Sequence, residues 1–281
     1  MMNQAITPNK NLGQHWLFDR DILCEIVDYA KVSRTDTVLE IGPGLGTLTA
    51  ELLSRGCKVF AVEFDENLAE NLNKNIAKIL PNFPNENLMI SREDFLKFDL
   101  GKLPSHYKIV ANIPYNITSP IIAKILTAKN PPTIAVLLVQ KEVAERIVAK
   151  PGELSMLAIR TQVFAECSLG IEVSPDKFTP PPEVDSQVLI LIPHVKSLIR
   201  EFCEQEKIAN EELFAKTFWR IISAGFANKR KKIRSSLAGG LNFAKPQIDE
   251  ILHSVNINPN LRAQDLAIDY WLKLAKAEYE I

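Results

Sequence analysis

Residues 37–49 read TVLEIGPGLGTLT and indicate a strand, a glycine-rich turn and a helix in succession. Its first half has the apolar and β-branched composition of a buried strand, and its second half opens an amphipathic helical pattern. Gly42, Gly44 and Gly46 stand between the two, where a backbone without Cβ atoms can approach a ligand closely. Open α/β sheets bind ligands at the carboxyl ends of their strands, so the stretch predicts a small-molecule site at that edge of a parallel sheet.

The alternation of strand and helix patterns continues from Asp36 to about Gln140. It is typical of a doubly wound sheet, with strands predicted at residues 37–41, 58–63, 88–91, 108–111 and 134–139. A helix is predicted before the sheet, with Asp19 as its N-cap. Two later strand-like runs, residues 170–173 and 187–192, flank the proline-rich loop FTPPPEVDS.

The pattern becomes almost wholly helical beyond Pro193. Helices are predicted here at residues 211–225, 230–237, 246–255 and 263–278, and an earlier one at 154–165. We therefore predict an α/β fold with a Rossmann-like domain over residues 1–195 and a small all-helical C-terminal domain over residues 196–281. The length of 281 residues agrees with two unequal domains.

The composition is that of an ordinary globular protein, with 46% hydrophobic and 24% charged residues and a net charge of -1. The longest apolar run, residues 134–139, is too short to cross a bilayer, and the N-terminal sequence lacks an apolar signal core, so we expect a cytoplasmic protein. Its cysteines are widely spaced without a C-x-x-C pair, which favours reduced structural thiols over a zinc site or a disulfide framework.

A carboxylate partners the glycine turn. Glu63 ends the next predicted strand, 21 residues after Gly42, where a carboxylate can accept hydrogen bonds from both hydroxyls of a ribose. The spacing G-x-G-x-G lacks the last glycine of the dinucleotide fingerprint, and no G-K-[ST] follows. Binding of a methyl donor is therefore favoured over NAD or ATP, with glycines that serve helix packing alone as the alternative. Asp94 follows the third strand and can accept from an adenine amino group, with Phe95 beside the ring.

The segment VANIPYNITSP carries a pattern suited to a methyl acceptor. An adenine N6 lone pair is delocalised into the ring, so a catalyst must hold the amine with its lone pair towards the donor methyl. The side-chain carbonyl of Asn112 and the backbone carbonyl of Pro114 are spaced to accept its two N–H groups. Tyr115 is predicted to stack on the base, and Phe178 to close the other face. A strand that ends in a proline turn with a core tyrosine is the structural alternative.

The sequence resembles the KsgA-type small-subunit rRNA adenine dimethyltransferases over nearly its whole length. The segments that match are NLGQHWL, VLEIGPGLGTLT, VEFD, REDF, ANIPYNITSPI, LLVQKEVAERIVAKPG, FTPPPEVDSQV, GFANKRKKIRSSL and LRAQDL. The resemblance implies an S-adenosylmethionine-dependent methyltransferase domain and no catalytic metal. It also implies contacts from the donor to His15, Leu17, Gly42, Glu63, Asp94 and Asn112.

The family converts two adjacent adenines in the 3′-terminal hairpin loop of small-subunit rRNA to N6,N6-dimethyladenine, late in subunit assembly. The resemblance therefore implies an immature small ribosomal subunit as partner. We also expect the free protein to be monomeric. This chain departs from the family at GQHWL, where many members read GQNFL, at Ile113, where bacterial members often have Leu, and at Pro151, where a tyrosine is usual.

A basic run precedes one of the C-terminal helical patterns. It comprises Lys229, Arg230, Lys231, Lys232 and Arg234, which we expect on a helix that contacts RNA phosphates. A solvated helix face is the alternative. The function has alternatives as well: an adenine methyltransferase of the antibiotic-resistance type that acts on large-subunit rRNA, a largely non-catalytic assembly checkpoint protein, or, more weakly, a DNA adenine methyltransferase.

Overall fold

A computed structural model describes residues 13–280, so the first two residues of the segment NLGQHWL lie outside the described part. The chain forms two compact units. The first comprises the described residues up to Ala144 together with Glu166–Pro193, and the second comprises Glu145–Ala165 together with the chain from His194 onward. Within residues 13–280, every helix is too short or too polar to span a bilayer.

A seven-stranded sheet forms the centre of the first unit. Its strands are β2 (Thr37–Ile41), β3 (Lys58–Glu63), β4 (Leu88–Arg92), β5 (Lys108–Asn112), β6 (Ile134–Gln140), β7 (Ala165–Val173) and β9 (Ser186–Pro193). They lie in the order β4-β3-β2-β5-β6-β9-β7. Strands β2 to β6 pair in parallel, and β9 runs antiparallel to β6. The predicted parallel sheet and its five strands are confirmed.

A separate two-stranded ribbon joins distant parts of the chain. Strand β1 (Trp16–Leu17) pairs antiparallel with β8 (Phe178–Thr179). This pairing fixes the loop before the first helix against the proline-rich segment, although the two lie about 160 residues apart in sequence. The ribbon was not predicted, because two-residue strands carry no periodicity.

The helices of the first unit are α1 (Arg20–Tyr29), α2 (Thr47–Ser54), α3 (Glu66–Ile79), α4 (Thr118–Leu126) and α5 (Lys141–Val148), the last of which continues into the second unit. Side chains cap two of them: Asp19 accepts from the N–H of Ile22, as predicted, and Asp65 accepts from that of Leu68. The apolar faces of α1 and α2 pack on the sheet, which is why Leu52 is fully buried.

The second unit is helical. It contains α6 (Met156–Gln162), α7 (Leu198–Gln205), α8 (Glu211–Phe226), α9 (Ile233–Leu241), α10 (Lys245–Ser254) and α11 (Ile268–Tyr279). Helix α6 is shorter than predicted, since Ser155 caps its start and strand β7 begins at Ala165. Its Ile159 joins the helical core, so the segment Glu145–Ala165 packs with this unit, a return of the chain that one boundary at residue 195 does not anticipate.

The helix predicted at residues 230–237 is wrong at its start. Helix α9 begins only at Ile233, and Lys229 to Lys232 form the turn between α8 and α9. Lys232 is the N-cap with an extended backbone, and the N–H of Lys231 donates to the carbonyl of Asn228 to close the turn. The basic residues therefore lie on an exposed turn, and Arg234 alone among the predicted set lies on a helix.

Candidate active site

A cavity of about 290 Å³ opens at the carboxyl edge of the parallel strands in the first unit. Most of its lining comes from residues 13–17 of the N-terminal loop, the glycine turn after β2, the end of β3, the loop after β4 and the loop after β5, and Leu23 of α1 and Leu68 of α3 add apolar side chains. The sequence predicted a ligand site at this edge. The structure brings together there His15, Leu17, Gly42, Glu63, Asp94, Asn112, Pro114 and Tyr115.

The three glycines of the turn have different surroundings. All have left-handed backbone angles, with φ of 67° at Gly42, 58° at Gly44 and 84° at Gly46. At Gly42 nothing lies closer to a hypothetical Cβ atom than Pro114, at 4.0 Å, so this backbone is open to a ligand. At Gly46 a Cβ atom would lie 2.8 Å from Ile76 of α3, so this glycine permits helix packing. Gly46 thus serves helix packing, and the backbone at Gly42 leaves room for a ligand.

Glu63 is buried at the end of β3 and holds the glycine turn. Its Oε2 accepts from the N–H of Gly44 at 3.0 Å, and its Oε1 accepts from the N–H of Asp65 at 2.8 Å. Burial raises the pKa of this carboxyl above its usual range, while those two backbone N–H groups oppose the rise. Each oxygen keeps a lone pair that can accept from a ligand hydroxyl.

Glu40 is a second buried carboxylate, which sequence reasoning did not single out. It is 1% exposed in β2 and lines the cavity, and its Oε2 has no hydrogen-bond partner within the described chain. Burial, and then the nearby charge of Glu63, raise its pKa to about 8. The sequence did contain a signal for this residue, since Glu40 is an acidic residue inside an otherwise apolar strand.

Asp94 lies in the turn that follows β4. Its Oδ1 accepts from the N–H of Leu96 at 2.9 Å, which fixes the side chain and leaves Oδ2 for a ligand. Phe95 beside it is 4% exposed and also lines the cavity. An adenine ring placed here would meet an acceptor at its edge and an apolar neighbour at its face.

Asn112 ends β5 with its amide held at one end. Its Nδ2 donates to the main-chain carbonyl of His15 at 3.0 Å, so the carbonyl Oδ1 is the end left for a ligand. The carbonyl of Pro114 accepts only a long bond from the N–H of Ile117, at 3.3 Å, and has a second lone pair. Two acceptor oxygens thus follow one strand end.

Tyr115 is held at its hydroxyl, which shares a hydrogen bond with that of Ser186. The imidazole of His15 lies over its ring, with centroids 5.7 Å apart and planes 18° from parallel. The His15 Nδ1 is also within 2.8 Å of the carbonyl of Pro180. His15 therefore contacts the aromatic wall through its ring and Asn112 through its backbone.

Phe178 is placed differently from the expectation that it closes the far face of a base. It is 3% exposed, pairs with Leu17 in the two-stranded ribbon and belongs to the hydrophobic core. It is not among the described residues that line the cavity, because the ribbon turns it inward. The ring opposite Tyr115 is that of His15, which the sequence did not identify as an aromatic partner.

Acidic side chains are prominent in the lining of the cavity. Glu40, Glu63, Glu93 and Asp94 line it, and no lysine or arginine does so among the described residues. A ligand with a cationic centre, a ribose and an adenine fits this set of oxygen acceptors and apolar walls, as S-adenosylmethionine would. Within residues 13–280, the cavity included, no group of His, Cys, Asp and Glu side chains could hold a metal ion.

The basic residues predicted to contact RNA belong to the second unit. Lys229, Arg230, Lys231 and Lys232 are exposed, and the ammonium group of Lys232 donates to Asn260 at 2.7 Å. Arg234 differs, since its guanidinium pairs with Asp249 at 2.6 Å and so connects α9 to α10. The ion pair with Asp249 therefore partly neutralises the charge of Arg234.

Comparison with known proteins identifies the family. The model of the ribosomal RNA adenine dimethylase family matches residues 5–278. The ribosomal RNA small subunit methyltransferase A of Dehalococcoides mccartyi strain CBDB1 is 38% identical over 277 residues, which cover 98% of this chain and 89% of that protein. A dimethyladenosine transferase from Plasmodium falciparum has a TM-score of 0.73 at 27% identity, covering 92% of this chain and 96% of that one. The 23S rRNA methyltransferase ErmE has a TM-score of 0.71 at 25% identity, covering 93% and 98%. These matches confirm the resemblance inferred from the motifs, and the chain belongs to the ribosomal RNA adenine dimethylase family.

Proposed function

We propose that this protein transfers methyl groups from S-adenosylmethionine to the N6 amines of two adjacent adenines in the 3′-terminal hairpin loop of 16S rRNA, giving N6,N6-dimethyladenine at both. The family and the names of its curated relatives support the substrate class. One observation carries the chemistry: Asn112 is anchored through its Nδ2, and its Oδ1 is left at the cavity.

The protein's part in the reaction is to bind and orient. S-adenosylmethionine supplies an electrophilic methyl group on a sulfonium. Glu63 accepts from the ribose hydroxyls and Asp94 from the adenine amine of that donor. The Oδ1 of Asn112 and the carbonyl of Pro114 accept the two N–H groups of the target amine, which favours a pyramidal nitrogen and stabilises the positive charge that develops on it.

The target base must leave its RNA helix to reach this edge of the sheet. Tyr115 offers the stacking surface, and such a contact contributes roughly 1–3 kcal/mol per base in single-strand binders. Because the His15 ring lies over Tyr115, it must shift for a base to enter between them, or the base must stack on the exposed part of the pair. After the first transfer the S-adenosylhomocysteine leaves and the methylated nitrogen loses a proton to solvent. The one N–H that remains can donate to one of the two acceptors, which orients the amine for the second transfer.

The partner in this proposal is an immature 30S-type subunit late in its biogenesis, met by a cytoplasmic protein that is monomeric when free. The catalytic domain lies in the first unit. The helical second unit, which comprises Glu145–Ala165 and the chain from His194 onward, contributes the basic turn. Lys229, Arg230, Lys231 and Lys232 contact phosphates, which position the RNA without reading its sequence. Arg234 supports that turn from α9. No metal is required by any step, since the acceptors and the donor's own charge suffice.

A second candidate is methylation of large-subunit rRNA. The similarity to the 23S rRNA methyltransferase ErmE, at a TM-score of 0.71, favours it. The closer sequence similarity, 38%, is to a protein named for the small subunit. We therefore place the small subunit first.

The test offers labelled S-adenosylmethionine and the purified protein both ribosomal subunits, isolated without these methyl groups. Nucleoside mass spectrometry of the RNA identifies the product, and primer extension locates it. Label in 16S rRNA as dimethyladenosine is expected. Label confined to 23S rRNA would establish the second candidate, and normal binding to the small subunit without any label would indicate a non-catalytic assembly protein.

A further inference from the structure

Trp16 lines the cavity with a polar atom that has no partner. Its indole Nε1 is buried and makes no hydrogen bond within the described part of the chain. Its backbone is fixed by pairing with Thr179. An indole N–H can only donate, and nearly all buried donors in folded proteins have an acceptor. This donor therefore lacks an acceptor that a bound molecule can supply.

The position of the ring indicates which part of a ligand it meets. A Cβ atom on Gly44 would lie 3.1 Å from the Trp16 Nε1, so the indole lies directly against the turn after β2. The strand order places β4, β3 and β2 side by side. The proposed donor has its adenine at Asp94, after β4, and its ribose at Glu63, on β3. Its amino-acid part then extends towards the turn after β2.

The acidic lining of the cavity makes the amino-acid part of the donor difficult to bind. The amino-acid part of S-adenosylmethionine carries a carboxylate and an ammonium group. Four acidic side chains line the cavity, and the described lining residues include no lysine or arginine to neutralise the carboxylate of the donor. A buried carboxylate needs hydrogen-bond donors. Trp16 offers a neutral one, and the unpartnered Oε2 of Glu40 offers an acceptor to the ammonium group.

We propose that the indole N–H of Trp16 donates a hydrogen bond to the carboxylate of the methyl donor's amino-acid part. Trp16 is then a binding residue for the donor and selects ligands that carry this carboxylate. The inference rests on the proposed function for the identity of the donor. It concerns a different end of that molecule from the ribose and adenine contacts.

Trp16→Phe removes the N–H and keeps an aromatic ring on the turn. Two probes are compared by calorimetry: S-adenosylhomocysteine, which has the amino-acid part, and 5′-methylthioadenosine, which lacks it. A hydrogen bond to a charged group predicts that the variant binds S-adenosylhomocysteine roughly tenfold or more weakly. Its affinity for 5′-methylthioadenosine should change by less than about twofold, since that probe has no carboxylate for the bond.

A second measurement follows the indole N–H signal of Trp16 in the unaltered protein and does not depend on the affinity of the variant. The chain has three tryptophans, so its ¹⁵N spectrum contains three indole N–H signals, and the one missing in Trp16→Phe belongs to Trp16. S-adenosylhomocysteine should move this signal downfield, as a new bond to an anion does, and 5′-methylthioadenosine should not.

The outcomes separate this inference from the proposed function. If the unaltered protein fails to bind S-adenosylhomocysteine, the proposed donor is wrong. If it binds but the variant loses both probes equally, the ring serves packing alone and the inference is overturned. If Trp16→Phe binds S-adenosylhomocysteine with unchanged affinity, or if this ligand leaves the Trp16 indole signal of the unaltered protein in place, the inference is overturned as well.

Discussion

The side-chain amide of Asn112 is held at its nitrogen by the carbonyl of His15 and presents its oxygen to the cavity. If this oxygen orients the target amine, Asn112→Ala should lower the methyl transfer rate by about a hundredfold or more, as loss of a preorganised polar contact does in other enzymes. Binding of RNA should stay close to normal, because the proposed role of this side chain is at the amine. Single-turnover transfer and calorimetry on the same preparations measure the two quantities.

Asn116→Ala is the matched control for that change, because Asn116 also lines the cavity and has no proposed role at the amine. Its transfer rate should fall far less. Equal losses in both variants, or a loss of RNA affinity as large as the loss of rate, would contradict the role given to Asn112.

Glu40 makes stability depend on pH. Its pKa is raised by burial to about 8, so the folded state holds this proton more tightly than the unfolded state does. Its stabilising contribution is therefore complete below the ordinary value near 4.5 and is lost as the pH rises through about 8. The slope is at most about 1.4 kcal/mol per pH unit between those limits.

Glu40→Gln should remove this slope, since glutamine does not titrate. Urea unfolding of both proteins at pH 5.5 and 8.5, without ligand, measures the difference. The unaltered protein should lose more stability at the higher pH than the variant does. Parallel losses would mean that other groups determine the dependence.

At the level of single residues, motif spacing placed Glu63, Asp94 and Asn112 at the cavity, because each lies at or after the end of a predicted strand, whereas His15 and Leu17 came from the resemblance alone. It missed Glu40 and Trp16, whose importance depends on an unpartnered atom rather than on a motif. It also misplaced Phe178, because a ribbon between residues far apart in sequence decides where that ring points.

Among the elements, helix α8 depends on a close approach at Gly225. A Cβ atom there would overlap the ring of Trp271 in α11, which is fully buried and has no room to move. Gly225→Ala should therefore destabilise the protein by roughly 1–3 kcal/mol, the usual cost of overpacking. Urea unfolding at constant pH measures the change.

Gly239 in α9 provides the control, since no atom lies within 4 Å of its hypothetical Cβ position. Gly239→Ala should be neutral or stabilise by up to about 1 kcal/mol, through helix propensity. Similar destabilisation by both variants would show that the contact with Trp271 is not the cause.

The turn between α8 and α9 carries the proposed RNA contacts. Replacing Lys229, Arg230, Lys231 and Lys232 by alanine should weaken RNA binding and flatten its dependence on salt, because each lost phosphate contact removes counterion release. Filter binding at several salt concentrations gives the slope. A change in affinity without a change in slope would remove the turn from the interface.

Four exposed lysines of the first unit, Lys58, Lys74, Lys78 and Lys129, give a control with the same change in net charge. Their replacement should leave the slope nearly unchanged. Arg234 is expected to behave differently from the turn: its partner Asp249 makes it a stabilising residue of α9 and α10, with a smaller part in binding.

Sequence periodicity predicted the elements with long repeats, such as the five parallel strands and α8. It failed at the start of α9. The basic residues continue a helical pattern in the sequence, but the chain forms a turn there and Lys232 is the N-cap of the helix. The N–H of Ile233 instead donates to the carbonyl of Leu261 at 2.6 Å, a long-range bond that no local pattern contains.

For the whole molecule, binding of the donor is linked to folding. A ligand that binds only the folded state stabilises it by about 2.7 kcal/mol at a hundredfold excess over its Kd. S-adenosylhomocysteine should raise the unfolding midpoint followed by far-ultraviolet circular dichroism. ATP at the same concentration is the control, because the glycine turn lacks a P-loop lysine. Equal effects of the two would argue against a site selective for the methyl donor.

The division of the chain was the hardest feature to predict. A change to helical composition after Pro193 is visible in the sequence, but the early visit of Glu145–Ala165 to the helical unit depends on contacts such as that of Ile159 with its core. Composition reports what a segment can bury, and only tertiary packing decides against which partner.

The ribbon between Trp16 and Thr179 also has a consequence in time. Every described lining residue of the cavity lies at or before Ile117, yet the strand that seats His15, Trp16 and Leu17 pairs with a segment made some sixty residues later. During translation, the glycine turn, Glu63 and Asp94 emerge long before the N-terminal loop can pair with its partner strand. A newly made chain thus completes its donor chamber only when most of its first unit has left the ribosome that synthesises it.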